Sequence, residues 1–184
     1  MGLPTADVSV RIAWTADADA IAAVQVRAWR QLYAELLPPA MLDSLDPADF
    51  AATWAAALAK PQDARNRVLV ALERASVRGF VVAGPAADPD TDPVSDGQIS
   101  ELVIDPATTG QGHGSRLLQA AADTLRSDGF THASMWVNAT DDAVREFVMA
   151  AGWAPDGAHR ELALHGDAGV RVKQVRLHTD LREG

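Results

Sequence analysis

The stretch that most restricts the fold runs over residues 99–128, where an apolar, strand-like segment (99–104) leads into a turn in which Gly110, Gly112 and Gly114 alternate with Gln111 and His113. An amphipathic helix is predicted directly behind it over 115–128, with Leu117, Leu118, Ala121 and Leu125 on one face and Gly129 closing its end. Glycine admits backbone conformations closed to other residues and removes the side chain that would hold a ligand at a distance. The unpaired N–H groups at a helix N-terminus, together with the helix dipole, attract an anion. A pyrophosphate is the expected occupant. A P-loop would need lysine and then serine or threonine after its last glycine, but Gly114 is followed by Ser115 and Arg116. The dinucleotide fingerprint G-x-G-x-x-G differs from the spacing here, and this turn comes after four strands rather than in the first βα unit. Judged alone, the segment also fits a glycine-rich turn that holds no ligand.

The remainder of the chain alternates short strands with amphipathic helices. Residues 8–14 alternate as a half-buried strand does, and 15–19 supply capping chemistry. Ile21, Val24, Ala28, Leu32 and Leu36 then follow at helical spacing as far as Pro38-Pro39. A second helical region, broken at Asp46-Pro47, carries Met41, Leu42, Leu45, Phe50, Trp54 and Leu58 up to Lys60-Pro61. Residues 67–72 and 77–83 read as a hairpin turning at 73–76, and 84–97, rich in proline, aspartate and glycine, reads as a mobile loop. A strand at 133–137, a short helix at 141–151 burying Val144, Phe147, Val148 and Ala151, a cap at Gly152 and strands near 160–164 and 170–177 complete the pattern. The order β-α-α-β-β-β-α-β-α-β-β has neither a repeat nor a linker, so residues 1–184 are read as one mixed α/β (α+β) domain.

Composition removes several kinds of chemistry. The chain has 184 residues and no cysteine, which excludes disulfides, thiolate metal sites and cysteine nucleophiles. The formal charge is −9 and no basic cluster is visible, which argues against a nucleic-acid partner and tolerates a cationic small molecule or basic peptide. With no apolar run of membrane-spanning length and no leader pattern after Met1, a cytoplasmic protein without a membrane partner is expected. His132, His159, His165 and His178 lack metal-ligand spacing, so no metal is expected.

Thr109-Gly110-Gln111-Gly112-His113-Gly114 resembles the pyrophosphate loop of the GCN5-related N-acetyltransferase (GNAT) superfamily, (Arg/Gln)-x-x-Gly-x-(Gly/Ala), with Thr109 in the first place. The likeness extends over most of the chain, through Trp29-Arg30-Gln31-Leu32-Tyr33, Leu37-Pro38, Glu101-Leu102-Val103-Ile104, Trp136-Val137, Phe147 and Ala151-Gly152-Trp153. The resemblance implies a central mixed, mostly antiparallel sheet splayed between its fourth and fifth strands and flanked by helices. It implies transfer of an acetyl group from acetyl-CoA to the primary amine of a small molecule or peptide. Leu102, Val103 and Ile104 would line the pantetheine arm. Thr109, Gly110, Gln111, Gly112, His113, Gly114 and Ser115 would hold the pyrophosphate, and Asp141 stands where relatives place a cofactor-contacting asparagine. Pairing of two copies through the late strands is compatible with the same likeness.

In direct acyl transfer a neutral amine attacks the thioester, so a base or a water chain must first take a proton from the ammonium. Glu101 is the candidate, because it lies in the strand that would bring the thioester to the acceptor. Trp29, Trp54, Trp136 and Trp153 sit in apolar patterns and read as core rather than ligand platform, and Trp29 with Tyr33, one helical turn apart, is still the candidate pair of acceptor-pocket walls. Val148 stands where many relatives carry the tyrosine that protonates the leaving thiolate, and valine transfers no proton. Because a thiol titrates near pH ~8.5, thiolate departure does not require that acid. A non-catalytic acyl-CoA-binding module that kept the loop is the alternative.

Overall fold

The computed structural model describes residues 7–164 and 169–182; His165 lies outside them. The elements are β1 (Val8–Ile12), α1 (Ala18–Leu32), α2 (Pro39–Asp43), α3 (Pro47–Ala59), β2 (Arg67–Glu73), β3 (Ser76–Pro85), β4 (Asp96–Ile104), α4 (His113–Ser127), β5 (His132–Asn138), α5 (Asp142–Ala150), β6 (Ala154–Leu164) and β7 (Val170–Asp180). The strands follow the order β1-β2-β3-β4-β5-β7-β6. β1–β2, β2–β3, β5–β7 and β6–β7 are antiparallel. β4 and β5 are parallel, in a register that runs from Asp96 opposite His132 to Ile99 opposite Met135, after which β4 continues to Ile104. The mixed, mostly antiparallel sheet with flanking helices is the fold class the sequence implies.

Two compact units are distinguished. The first holds the chain up to Ala83 together with Glu101–Ala121, and the second holds Gly84–Ser100 with the chain from Ala122 onward. In the first, Ala13, Ile21, Val24, Val70, Leu72, Val77 and Phe80 form a core against which Trp54, Leu58 and Val103 pack. The entry to α1 is fixed by Asp17, whose carboxylate accepts from the Trp14 backbone N–H (2.6 Å) and from Arg11 Nη1 (2.7 Å). The Arg11 guanidinium outweighs burial and holds the Asp17 carboxyl below its ordinary range. α1 ends at Leu32, not at the prolines: the backbone N–H groups of Leu36 and Leu37 both return to the Tyr33 carbonyl at 3.0 Å. Pro38 disfavours helical geometry at the residue before it; Leu37 is buried and Leu36 exposed. α2 and α3 each begin with a proline in the first turn, and Asp46 caps α3 by accepting from Ala48 N at 2.9 Å.

In the second unit Gly97 allows a close approach to α4: a Cβ there would lie 2.9 Å from Leu125 Cδ2 and 3.2 Å from Phe130 Cγ. The Pro/Asp/Gly-rich loop is narrower than its composition suggests, because β3 reaches Pro85 and β4 starts at Asp96. Its aspartates hold Arg176 of β7, with Asp88 at 3.2 Å and Asp90 at 2.6 Å, while Asp156 of β6 takes Nε at 2.6 Å. Trp136 Nε1 donates to Asp88 at 2.9 Å, and the Arg160 guanidinium lies over the Trp136 ring. Ala151, expected in the core, is exposed: α5 stops at Ala150, Gly152 takes φ +97°, and Trp153 fills the buried place.

Candidate functional site

The glycine turn is held from its leading edge. Asp105, immediately after β4, is buried and receives Arg27 Nη2 at 2.7 Å and Nε at 3.4 Å. The same carboxylate accepts from Ala107 N at 3.2 Å and so caps the 3-10 turn Pro106–Thr108, while its own backbone N–H donates to the Arg78 carbonyl at 2.8 Å. Burial works to raise the Asp105 carboxyl, but Arg27 and the Ala107 N–H outweigh it and hold the group below its usual range. Thr109 Oγ1 donates to the Pro106 carbonyl at 3.2 Å. Gly110 and Gly112 then adopt φ +80° and +84°, the left-handed region where a side chain is strained, and a Cβ on Gly110 would meet nothing within 4 Å.

α4 begins at His113, earlier than its apolar spacing predicts, so Gly114 and Ser115 belong to its first turn. The Arg116 N–H returns to the Gly112 carbonyl at 3.2 Å, and its Nη1 reaches the Gln111 carbonyl at 3.3 Å. The N–H groups of His113, Gly114 and Ser115, in the first turn, have no intrahelical acceptor. The His113 ring is buried, 2% of the residue being exposed, and neither ring nitrogen has a hydrogen-bond partner among the described residues. Burial and the nearby Arg116 push this imidazole below its ordinary pKa, which keeps it neutral. His113 therefore offers the loop its backbone N–H rather than its ring.

Glu101 and its surroundings lie in the same unit. Along β4, Glu101 and Val103 share one face, with Val103 against the α1-side core, while Leu102 and Ile104 take the other. All four are half-buried. Gly79 of β3 brings the backbones together, since a Cβ there would sit 2.7 Å from Val103 O and 2.9 Å from Ile104 Cδ1. Gln25 of α1 donates from Nε2 to Glu101 Oε2 at 3.5 Å and accepts at Oε1 from Trp54 Nε1 at 2.8 Å. Desolvation raises the Glu101 carboxyl above its ordinary pKa, and no ion pair to it is found among the described residues. Tyr33 is raised by burial and then by the charge on Glu101. The Trp29 ring stands edge-on to Tyr33 (centroids 6.2 Å apart) and to Phe50 (5.3 Å).

Thus Glu101, Tyr33, Trp29, the 102–104 strand and the loop share one unit, and Asp141 belongs to the other. Asp141 caps α5 by accepting from Val144 N at 3.1 Å, and Val148 on that helix is fully buried. Gln25 and the Arg27–Asp105 pair were not identified from sequence. The only local signal was Asp105 preceding Pro106, a capping pattern; Gln25 offers none. In the second unit His132 and His178 stack, with ring nitrogens 3.4 Å apart, beside a cavity of about 250 Å³ lined by Asp90, Asp96, Asp156 and Arg176. No cluster of metal-ligating side chains occurs among the described residues.

A glycine turn with left-handed residues ahead of a helix, in one unit with a strand that carries a half-buried carboxylate, is the arrangement expected of an acyltransferase. Residues 26–153 match the Acetyltransferase (GNAT) family, and the chain belongs to that family. The uncharacterized N-acetyltransferase YuaI of Bacillus subtilis (strain 168) is 28% identical over 170 residues, covering 92% of this chain and 91% of that protein. Among solved structures, the PaiA N-acetyltransferase from Thermoplasma acidophilum in complex with coenzyme A superposes with a TM-score of 0.73 at 14% identity, covering 95% of this chain and 99% of that one. The YncA putative acetyltransferase from Salmonella typhimurium with acetyl-CoA gives 0.69 at 19% identity, covering 98% and 96%. Those two likenesses concern the fold. Among the described residues no helix is long and apolar enough to cross a membrane.

Proposed function

We propose that the protein transfers an acetyl group from acetyl-CoA to the primary amine of a small molecule or peptide by direct attack. The observation that carries this reading is Glu101, a half-buried carboxylate made more basic by desolvation, without a cationic partner among the described residues, and close enough to Tyr33 to perturb it. Such a group takes a proton from an arriving ammonium and leaves the neutral amine to form the new C–N bond. The C–S bond breaks as the tetrahedral adduct collapses, coenzyme A departs as thiolate, and the attacking nitrogen releases its second proton to solvent to leave the neutral amide. With Val148 buried and unable to donate, that departure relies on the ordinary acidity of a thiol, near pH ~8.5.

The remaining residues receive tasks consistent with their geometry. The backbone of 109–115, with α4 behind it, holds the pyrophosphate: two glycines already sit in the required left-handed region, and the space beside Gly110 is open. The backbone edge at Leu102, Val103 and Ile104 pairs with the pantetheine amides as an added strand would. Trp29 and Tyr33 wall the acceptor. The proposed enzyme acts as one cytoplasmic domain, without nucleic-acid, membrane or metal partners. Pairing of two copies is part of the same reading and finds support in β6, the terminal strand, exposed along most of its length; sedimentation velocity measures it directly.

An amine-library screen that detects thiol release tests the proposal. The best acceptor should lose about 10²–10⁴-fold in kcat with Glu101→Gln while acetyl-CoA binding is retained. A full rate for Glu101→Gln across pH would remove the base. Acetyl-CoA binding with no thiol release from any amine would instead identify a binding module.

A further inference from the structure

We propose that Gln25 is a positioning residue for the base, its amide locked by Trp54 so that the NH₂ end, and not the carbonyl, faces Glu101. The inference rests on the reading of Glu101 as the base. The indole N–H of Trp54 can only donate, so the atom 2.8 Å from it must be the Gln25 oxygen, and the planar amide then presents Nε2 to the carboxylate at 3.5 Å. The lock is rigid. Gln25 is 4% exposed, and the Trp54 ring is held edge-on against Phe80 at 5.1 Å and 72°. A flipped amide would set an oxygen against the Glu101 carboxylate and leave the indole N–H facing an NH₂ group, two unsatisfied contacts in a dry place.

The arrangement has a chemical consequence. Burial favours the neutral carboxylic acid, which is useless as a base, whereas an N–H aimed at the carboxylate favours the charged form. Gln25 thus aligns the carboxylate and works against the desolvation that raises it. Among the described residues Tyr33 senses Glu101: its hydroxyl is pushed up by burial and by that charge, so its neutral form adds no competing negative charge.

The test measures kcat, KM and pH profiles for the full chain with acetyl-CoA and the best amine from the screen. Gln25→Met, similar in volume and without donors, should lower kcat about threefold to thirtyfold, leave KM for acetyl-CoA unchanged and move the acid limb of the kcat profile to higher pH. Trp54→Phe, which keeps the ring contact and loses only the indole N–H, should move the same limb in the same direction by less. It also serves if Gln25→Met fails to fold. Combined with Glu101→Gln, neither change should slow the enzyme further, because the group it positions is already gone. An unmoved acid limb, or additive losses in the double variants, would overturn the positioning role. If Glu101→Gln alone keeps full rate, the underlying base assignment fails instead, and that single variant tells the two apart.

Discussion

Replacement of Asp105 probes the support beneath the glycine turn. Asp105→Ala removes both Arg27 contacts and the cap on Ala107 N. Losing a capping acceptor costs about 1 kcal/mol. The ion pair contributes about another 1 kcal/mol rather than the full cost of a buried pair, because the Arg27 side chain is 49% exposed and rehydrates when its partner is lost. A change of about 2 kcal/mol in a chain of this length lowers Tm by about 4–8 °C. Asp105→Asn keeps an acceptor for Ala107 N and loses only the charge, so about half of that shift is expected. The pH dependence separates charge from shape. Because the folded carboxyl is held below its ordinary pKa, its contribution is complete above the unfolded value near pH ~3.9 and is lost as pH falls through the depressed folded value. The gap between wild type and Asp105→Asn should therefore be open at pH 7 and close towards pH 3, while other carboxylates titrate alike in both proteins and cancel. Thermal unfolding by circular dichroism at low salt reads this out. A Tm loss under about 1 °C for Asp105→Ala at pH 7, or a gap to Asp105→Asn that does not change with pH, refutes the reasoning.

Gly79→Ala places a methyl 2.7 Å from the Val103 carbonyl, a backbone atom that cannot move aside; overpacking of about 1–3 kcal/mol should appear in denaturant unfolding, with kcat falling because the same strand carries Glu101. Gly110→Ala meets no atom but must hold φ +80°, so about 1–2 kcal/mol of strain should lower Tm slightly and weaken coenzyme A binding by titration calorimetry; unchanged affinity would show that the amides there do not serve the ligand.

Where function depends on local chemistry, the sequence was readable. Glycine spacing followed by an amphipathic helix located the loop and α4, and Asp46-Pro47 marked the break before α3, because capping and proline effects act within a few residues. The end of α1 was misplaced by the apolar spacing of Leu36, which continues the helical period although the chain has already turned on the Tyr33 carbonyl. His113 lies in a stretch whose polar neighbours suggest exposure, yet the first turn of α4 carries its ring inward, and no residue type signals that rotation. The partners of Arg176 were equally hidden, because Asp88 and Asp90 look like solvated loop residues until β7 is set beside them.

The least legible feature ties the two halves of the proposed chemistry together. Glu101 lies in β4 and Asp105 directly follows its end, the first the proposed base and the second the support of the glycine turn. Helix α1 reaches both: Gln25 bonds Glu101 across 76 residues of sequence, and Arg27 bonds Asp105 across 78. Two side chains separated by one residue on a helix point about 200° apart; the partner of Arg27 lies beyond the strand end, and the Arg27 side chain is half-exposed. The geometry makes base position and loop position depend on a single helix. Shortening that arm by Arg27→Lys should therefore disturb the loop without disturbing the base, weakening coenzyme A binding while the acid limb of the pH profile stays where Gln25 and Trp54 hold it.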